Sequence, residues 1–219
     1  MYIINAKDYA NKLIGYLPHS SPNNQEVLNA VINTVNAVLV PATHAGTGAS
    51  IPLVSQTYEA KANANIEETQ DTFAAQQTGQ TAIAFIGEHH RSADDKQRAE
   101  KFMIRVDKKE LQPTLIVLER GLKYNAPTYP ADQVIREEDL TKGFGQVLNS
   151  EQRSIVVAGY LVACIGSADQ HDINKQLLFY GENHAPILTT YFDQLAEASA
   201  AAYLLKGKRT FLIFKSYEN

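Results

Sequence analysis

The sequence predicts an α/β protein with a mainly parallel sheet of about four or more strands, flanked by helices and preceded by a helical N-terminal extension. Four compact apolar runs carry this prediction, and they alternate with segments of helical periodicity. They are TAIAFIG at 81–87, PTLIVLE at 113–119, QLLFYG at 176–181 and RTFLIFK at 209–215. Unbroken apolar runs are typical of parallel strands that are buried on both faces, since one-sided strands alternate apolar with polar residues.

The first 80 residues lack such runs, and we expect them to form a helical extension or cap. Residues 6–17 repeat apolar side chains at helical spacing, and a second helix is predicted after Ser21, a candidate N-cap, with Pro22 at the first helical position. The segment PATHAGTGASIP, which contains His44, is predicted to be a turn-rich connector. Residues 56–80 are predicted as a soft helix and a linker, which leaves 81–219 as the α/β domain.

Helices are predicted between the strands of this second domain. Ser92 can cap a helix with the apolar stripe Ala99, Phe102, Met103 and Val106. A second helix is predicted to begin near Ser150, and a third carries the apolar positions from Ile187 to Leu195. The intervening segment 121–147 is predicted to be a long polar loop.

Composition and charge exclude several classes of protein. Twenty basic and 24 acidic residues give a net charge of −4, which argues against a nucleic-acid partner. The single cysteine, Cys164, rules out an intramolecular disulfide and is expected to be a buried, inert thiol. The sequence shows no secretory signal or membrane-spanning run. We therefore expect no membrane partner, and a protein that is cytoplasmic or secreted without a cleaved signal peptide.

Polar residues follow three of the predicted strands at the point where each strand ends. Glu88 and His90 follow the first strand, Glu119 ends the second, and His184 follows the third. Because the carboxyl ends of parallel strands meet at one edge of a sheet, we expect these four residues to form a single catalytic site. Glu119 is the most informative of them, since a buried carboxylate needs a partner to offset its desolvation.

Further polar residues lie beside these four in the sequence. They are candidates for substrate binding, and the arginines could steady negative charge that develops in a reaction. The candidates are His89, Arg91, Arg120, Glu182 and Asn183.

The segments IAFIGEHHRSADDKQRAEKFM, LIVLERG and LLFYGENHAPIL together resemble the ChaN/erythromycin-esterase-like superfamily, which is similar to the Tiki/TraB group. The resemblance covers about residues 82–195. The motif positions that match are Gly87, Glu88, His90, Glu119, Gly181 and His184. The resemblance implies an α/β fold with a Glu/His site, in a superfamily whose members include ester hydrolases, metal-dependent proteases, haem binders and toxin-associated domains.

Hydrolysis of an ester, amide or related bond in a small-molecule or peptide substrate is the leading functional hypothesis. In a metal-assisted version, His90, His184 and Glu119 bind a divalent ion. In a metal-free version, one histidine is the general base and a glutamate orients it. We expect Glu119 to be the orienter and Glu88 the proton carrier, although the two could exchange roles.

Two other functions remain open at this point. One is a module that binds haem or another ligand without breaking a bond, and the other is a bacterial effector or toxin domain. Under either hypothesis the N-terminal helices could mediate oligomerisation.

Overall fold

The computed structural model describes the chain in segments. They are residues 6–17, 24–38, 58–63, 66–75, 81–89, 92–119, 121–122, 130–144, 147–167, 174–181, 183–201, 204–205 and 211–216. The helices are α1 Ala6–Tyr16, α2 Asn24–Val38, α3 Ile66–Ala74, α4 Ala93–Asp107, α5 Glu137–Thr141, α6 Ser150–Ser167 and α7 Ala185–Ala201, with a short 3-10 helix at Ala131–Gln133. The strands are β1 Tyr58–Asn63, β2 Thr81–Glu88, β3 Leu115–Leu118, β4 Val134–Arg136, β5 Asn174–Gly181 and β6 Phe211–Ser216.

The chain divides into two compact units. The first, which we call the helical unit, comprises Met1–Gln56, Leu140–Asp169 and Leu188–Lys208. The second, the sheet unit, comprises Thr57–Asp139, Gln170–Ile187 and Arg209–Asn219. The boundary that the sequence suggests at residue 80 does not coincide with this division, because residues 57–80 belong to the sheet unit and two later segments belong to the helical unit.

The described strands form one sheet in the order β1-β6-β2-β5-β3-β4, and every paired neighbour is parallel. This confirms the predicted mainly parallel α/β architecture. The four apolar runs correspond to β2, β3, β5 and β6, whose bounds differ from the predicted ones by up to two residues. Runs of this kind suit the inner positions of a parallel sheet, where helices exclude water from the strands.

Strands β1 and β4 lie at the two edges of the sheet and were not predicted. Tyr58–Asn63 falls within the segment predicted as a soft helix, so that interpretation is wrong for these six residues, although α3 follows at 66–74. The sequence YEAKAN has no apolar run, and its place in the sheet comes from parallel pairing with β6. Pairing of this kind overrides the local preference of alanine for helices.

One face of the sheet packs against α4. Ala82, Ala84 and Ile86 of β2 all lie on this face, because side chains two residues apart in a strand lie on the same side of the sheet. The predicted stripe of α4 is buried in the same core, and the rings of Phe102 and Phe179 meet edge-on with their centroids 5.8 Å apart. The helical periodicity of 93–107 therefore predicted the packed face of α4 correctly.

A buried lysine links α3 to the sheet. The Nζ atom of Lys175 donates a hydrogen bond to the Ala74 carbonyl at 3.2 Å, at the end of α3, and lies 5.7 Å from the centre of the Phe73 ring. Burial lowers the pKa of Lys175 below its ordinary value, because desolvation disfavours the charged amine. The carbonyl at the helix end and the ring face both offset part of this desolvation.

In the helical unit, α1 packs against α2 and α2 packs against α6. Burial raises the pKa of the Cys164 thiol, on α6, to about 12. A thiol with this pKa is almost entirely protonated at neutral pH, in keeping with the expectation of an unreactive cysteine. Of the helices described in the structure, none has both the length and the apolar character needed to cross a membrane.

Helix α6 begins at Ser150, as predicted, and a reciprocal cap precedes it. The backbone N–H of Gln152 donates to Asn149 Oδ1 at 2.9 Å, and the backbone N–H of Asn149 donates to Gln152 Oε1 at 3.0 Å. Asn149 is therefore the N-cap residue, and Gln152 completes a capping box.

Replacing Asn149 with alanine is expected to lower the free energy of unfolding by about 1 kcal/mol, because the Gln152 N–H at the helix start loses its acceptor, Asn149 Oδ1. Urea denaturation followed by circular dichroism measures this change. The matched control is Asn33→Ala, at an exposed interior position of α2 where alanine is the better helix former. Equal stability of the two variants would contradict the cap.

Candidate functional site

The three strands that carry the predicted site residues are neighbours in the sheet. Strand β5 lies between β2 and β3, so that Glu88 pairs with Gly181 and Leu118 pairs with Phe179. After β2 the chain continues to β3, on the far side of β5, and after β5 it continues to β6, on the far side of β2. The connections that leave β2 and β5 thus run in opposite directions. In open parallel sheets, ligands bind beyond the carboxyl ends of strands at such a switch point.

Each of the three strand ends is followed by a hydrogen-bonded backbone turn. The N–H of Ser92 donates to the carbonyl of His89 at 2.8 Å, and the N–H of Leu122 donates to the carbonyl of Glu119 at 3.2 Å. The N–H of His184 donates to the carbonyl of Gly181 at 2.8 Å. These bonds join the last residues of each strand to the residues that begin the next described segment.

The backbone of Glu119 continues the hydrogen-bond pattern of β3 for one more residue. Its side-chain carboxylate then replaces its backbone carbonyl as the acceptor for the next strand. Its N–H donates to the Phe179 carbonyl at 3.0 Å, as a parallel ladder requires. The next ladder bond would run from the Gly181 N–H to the Glu119 carbonyl, but that carbonyl accepts the N–H of Leu122. The Gly181 N–H instead donates to the Glu119 side chain, at Oε2. The carboxylate therefore takes the place of the backbone oxygen at the end of the ladder.

The second carboxylate oxygen of Glu119 faces a histidine. Glu119 Oε1 lies 3.6 Å from His184 Nε2, and the Glu119 side chain is buried while that of His184 is 26% exposed. The separation is longer than the roughly 2.7–3.2 Å of an N–H···O hydrogen bond, but it is close enough for an ion pair when the imidazole is protonated. The arrangement is a buried carboxylate, held by a backbone N–H, beside an imidazole that reaches solvent.

Gly181 connects both members of this pair. Its N–H donates to Glu119, and its carbonyl accepts the N–H of His184, which directly precedes α7. The backbone at the end of β5 is thus hydrogen-bonded both to the Glu119 carboxylate and to the backbone of His184. These contacts use the backbone of residue 181 and not its side chain. The sequence therefore contains no residue pattern that predicts them.

Glu88 also lies at the carboxyl ends of the strands, but its side chain is on the opposite face of the sheet from that of Glu119. Glu88 is 3% exposed, and its side chain lies on the same face of β2 as Ile86, which packs in the core that α4 covers. Leu118 belongs to that core as well, so Glu119, the next residue, leaves β3 toward the opposite face. The strands of Glu88 and Glu119 are two apart in the sheet, which separates their backbones by roughly 10 Å. Glu88 therefore borders the Glu119–His184 pair without belonging to it.

The remaining predicted residues divide into two groups. His89 and Asn183 are exposed at this edge, next to Glu88 and His184. Others lie outside the described residues, so their roles stay predictions; they are His90, Arg91, Arg120 and Glu182. Among the residues that the structure describes, no three His, Cys, Asp or Glu side chains are grouped as a metal ion requires. Of the three predicted metal ligands, the structure describes Glu119 and His184.

Sequence reasoning missed Gly121, which shapes the turn after β3. Its φ is +86°, a left-handed conformation that favours glycine, and the turn closes between the Glu119 carbonyl and the Leu122 N–H. Glycine adopts a positive φ without a steric penalty, and several kinds of tight turn require it. The pattern Glu-Arg-Gly-Leu after an apolar run contains that signal in the sequence.

No protein-family model matches the chain, and neither a curated protein nor a solved structure matches it. The geometry of the site is therefore the basis for assigning a function. That geometry combines a switch point of a parallel sheet, a backbone-anchored carboxylate and a partly exposed imidazole.

Proposed function

We propose that the protein hydrolyses an ester, amide or related bond at the Glu119–His184 pair. The observation that supports this proposal is the position of the Glu119 carboxylate, whose Oε2 accepts the Gly181 N–H while Oε1 lies 3.6 Å from His184 Nε2. A carboxylate held in this way cannot turn away from the imidazole without losing a backbone hydrogen bond. This is the arrangement by which an acid orients a general base.

The roles of the two nitrogens of His184 follow from this arrangement. A proton on Nε2 is favoured because it faces the negative charge of Glu119, and Nδ1 then keeps its lone pair. Nδ1 takes a proton from the attacking water, and Glu119 stabilises the imidazolium that forms. The proton then passes to the leaving group. In this scheme Glu119 is the orienter, and Glu88, two strands away and on the opposite face of the sheet, takes no part in the proton transfer at the pair.

The resemblance of 82–195 to the ChaN/erythromycin-esterase-like superfamily favours the same class of reaction. In a metal-assisted version, His90 would join His184 and Glu119 around a divalent ion that lowers the pKa of its bound water. The described residues supply an oxygen and a nitrogen ligand for such an ion. The protein would then act on a small-molecule or peptide substrate, and Arg91 and Arg120 would steady the anionic intermediate.

Replacing Glu119 with glutamine is expected to reduce hydrolysis of p-nitrophenyl esters on the order of 100-fold. The amide oxygen of glutamine can still accept the Gly181 N–H, so the change removes the charge that faces His184 and leaves the anchor. The measurement is steady-state turnover of p-nitrophenyl acetate and butyrate by purified protein, before and after treatment with a chelator. The chelated sample separates the metal-assisted version from the metal-free one.

The matched control is Glu100→Gln, which removes one negative charge from an exposed position of α4. This variant is expected to hydrolyse the esters as fast as the unaltered protein. Equal turnover by the Glu119 and Glu100 variants, or no turnover by the unaltered protein on esters and amides, would refute the proposal. An absorption spectrum of the same sample with a haem band would favour the binding function in its place.

A further inference from the structure

The turn that follows β3 determines which oxygen of Glu119 faces Gly181. In a regular parallel ladder the Gly181 N–H would donate to the Glu119 carbonyl. The turn from Glu119 to Leu122 takes that carbonyl away from the ladder, because it accepts the Leu122 N–H at 3.2 Å. The vacated acceptor position is filled by Glu119 Oε2.

The turn depends on the left-handed conformation of Gly121, at φ +86°. Residues with a Cβ rarely adopt this region, since their Cβ meets the backbone oxygen, and asparagine is one of the few that does. If residue 121 moves to negative φ, the Leu122 N–H no longer points at the Glu119 carbonyl. The carbonyl can then return to the Gly181 N–H and displace the carboxylate from it.

We infer that Gly121 is a positioning residue for the Glu119–His184 pair. It acts through the turn: its backbone conformation frees the Gly181 N–H for the carboxylate, and the anchored carboxylate holds the imidazole. The catalytic consequence of this inference rests on the proposed hydrolytic function, whereas the structural consequence, the orientation of His184, does not.

The open space around Gly121 allows its backbone conformation to be tested by substitution. A Cβ built at this position meets no atom within 4 Å, so alanine would introduce backbone strain without a steric clash. Gly15, on α1, is the matched control, because a Cβ there also meets nothing within 4 Å and its φ is not positive. The substitutions Gly121→Ala and Gly15→Ala thus add the same methyl group to open space and differ in the backbone conformation that receives it.

The experiment compares Gly121→Ala, Gly121→Asn and Gly15→Ala in the full chain. Two properties are measured, namely turnover of p-nitrophenyl esters and the side-chain ¹⁵N chemical shifts of His184, which report the ring nitrogen that carries the proton. We expect Gly121→Ala to lower turnover at least about tenfold, since a displacement on the order of 1 Å is enough for such a loss, and to shift the His184 resonances. We expect Gly121→Asn and Gly15→Ala to retain turnover and resonances close to those of the unaltered protein.

Two results would overturn the inference: unchanged turnover and resonances in Gly121→Ala, or equal losses in the alanine and asparagine variants. A failure of the proposed function is distinguishable, because the unaltered protein would then show no turnover while the His184 resonances would still separate the two variants. If strain prevents the alanine variant from folding, sucrose favours the compact state and allows the same measurements on all three variants.

Discussion

Replacing His184 with alanine is expected to lower ester turnover by about 100-fold to 10,000-fold, the range that a general base contributes. His184 is the partly exposed member of the pair, so it is the side chain that can reach a bound substrate. Without it, water must attack without an imidazole to accept its proton, and a carboxylate such as that of Glu119 is in general a weaker base than an imidazole. The loss should appear in kcat, because the proton transfer belongs to the transition state.

The controls for His184→Ala separate loss of the base from loss of structure. His44→Ala removes a histidine from the connector predicted at 41–52 and is expected to leave turnover unchanged. Added imidazole is expected to restore part of the activity of the His184 variant, since the vacated position is open to solvent. A His184→Ala variant that hydrolyses the esters as fast as His44→Ala would exclude His184 from the chemistry.

Replacing Gly159 with alanine is expected to destabilise the helical unit by about 3 kcal/mol, the upper part of the range for an overpacked core. A Cβ at this position of α6 would lie 1.9 Å from Tyr9 Oη and 2.6 Å from its Cζ. The Tyr9 side chain is completely buried on α1, so the ring cannot move into solvent to relieve the contact. The helices must separate or the ring must leave its rotamer, and both movements lose packing.

A double-mutant cycle tests this close approach. Tyr9→Leu removes the atoms that the new methyl group would meet, so Gly159→Ala is expected to be much less harmful in the Tyr9→Leu background than in the unaltered one. Urea denaturation of the four proteins gives the coupling free energy between the two positions, which we expect to exceed about 1 kcal/mol. Strictly additive effects would contradict the contact.

Most of the sheet could be predicted because its inner strands have a strong local signal. The runs that become β2, β3, β5 and β6 are apolar without alternation, and burial on both faces leaves few other ways to place them. The edge strands have no such signal. Residues 58–63 enter the sheet through pairing with a strand far away in the sequence, and β4 has only three residues, Val134–Arg136, within a segment predicted as loop.

The candidate site could be predicted only in outline. The rule that parallel strands end at one edge brings Glu88, Glu119 and His184 to the same side of the sheet without any knowledge of strand order. Which of them touch depends on β5 lying between β2 and β3, and on alternation that sends Glu88 and Glu119 toward opposite faces. Glu119 and His184 are both hydrogen-bonded to Gly181 through backbone groups that every residue except proline carries.

The register of the first edge strand has a consequence for how the chain acquires its structure. Tyr58 pairs with Phe211, so β1 must await a partner that is synthesised roughly 150 residues later. Contacts between such distant segments form slowly, because a long loop has to close before any pairing compensates its lost entropy. A nascent chain therefore carries β1 unpaired until β6 leaves the ribosome, and the order of synthesis makes completion of this edge a late event in folding.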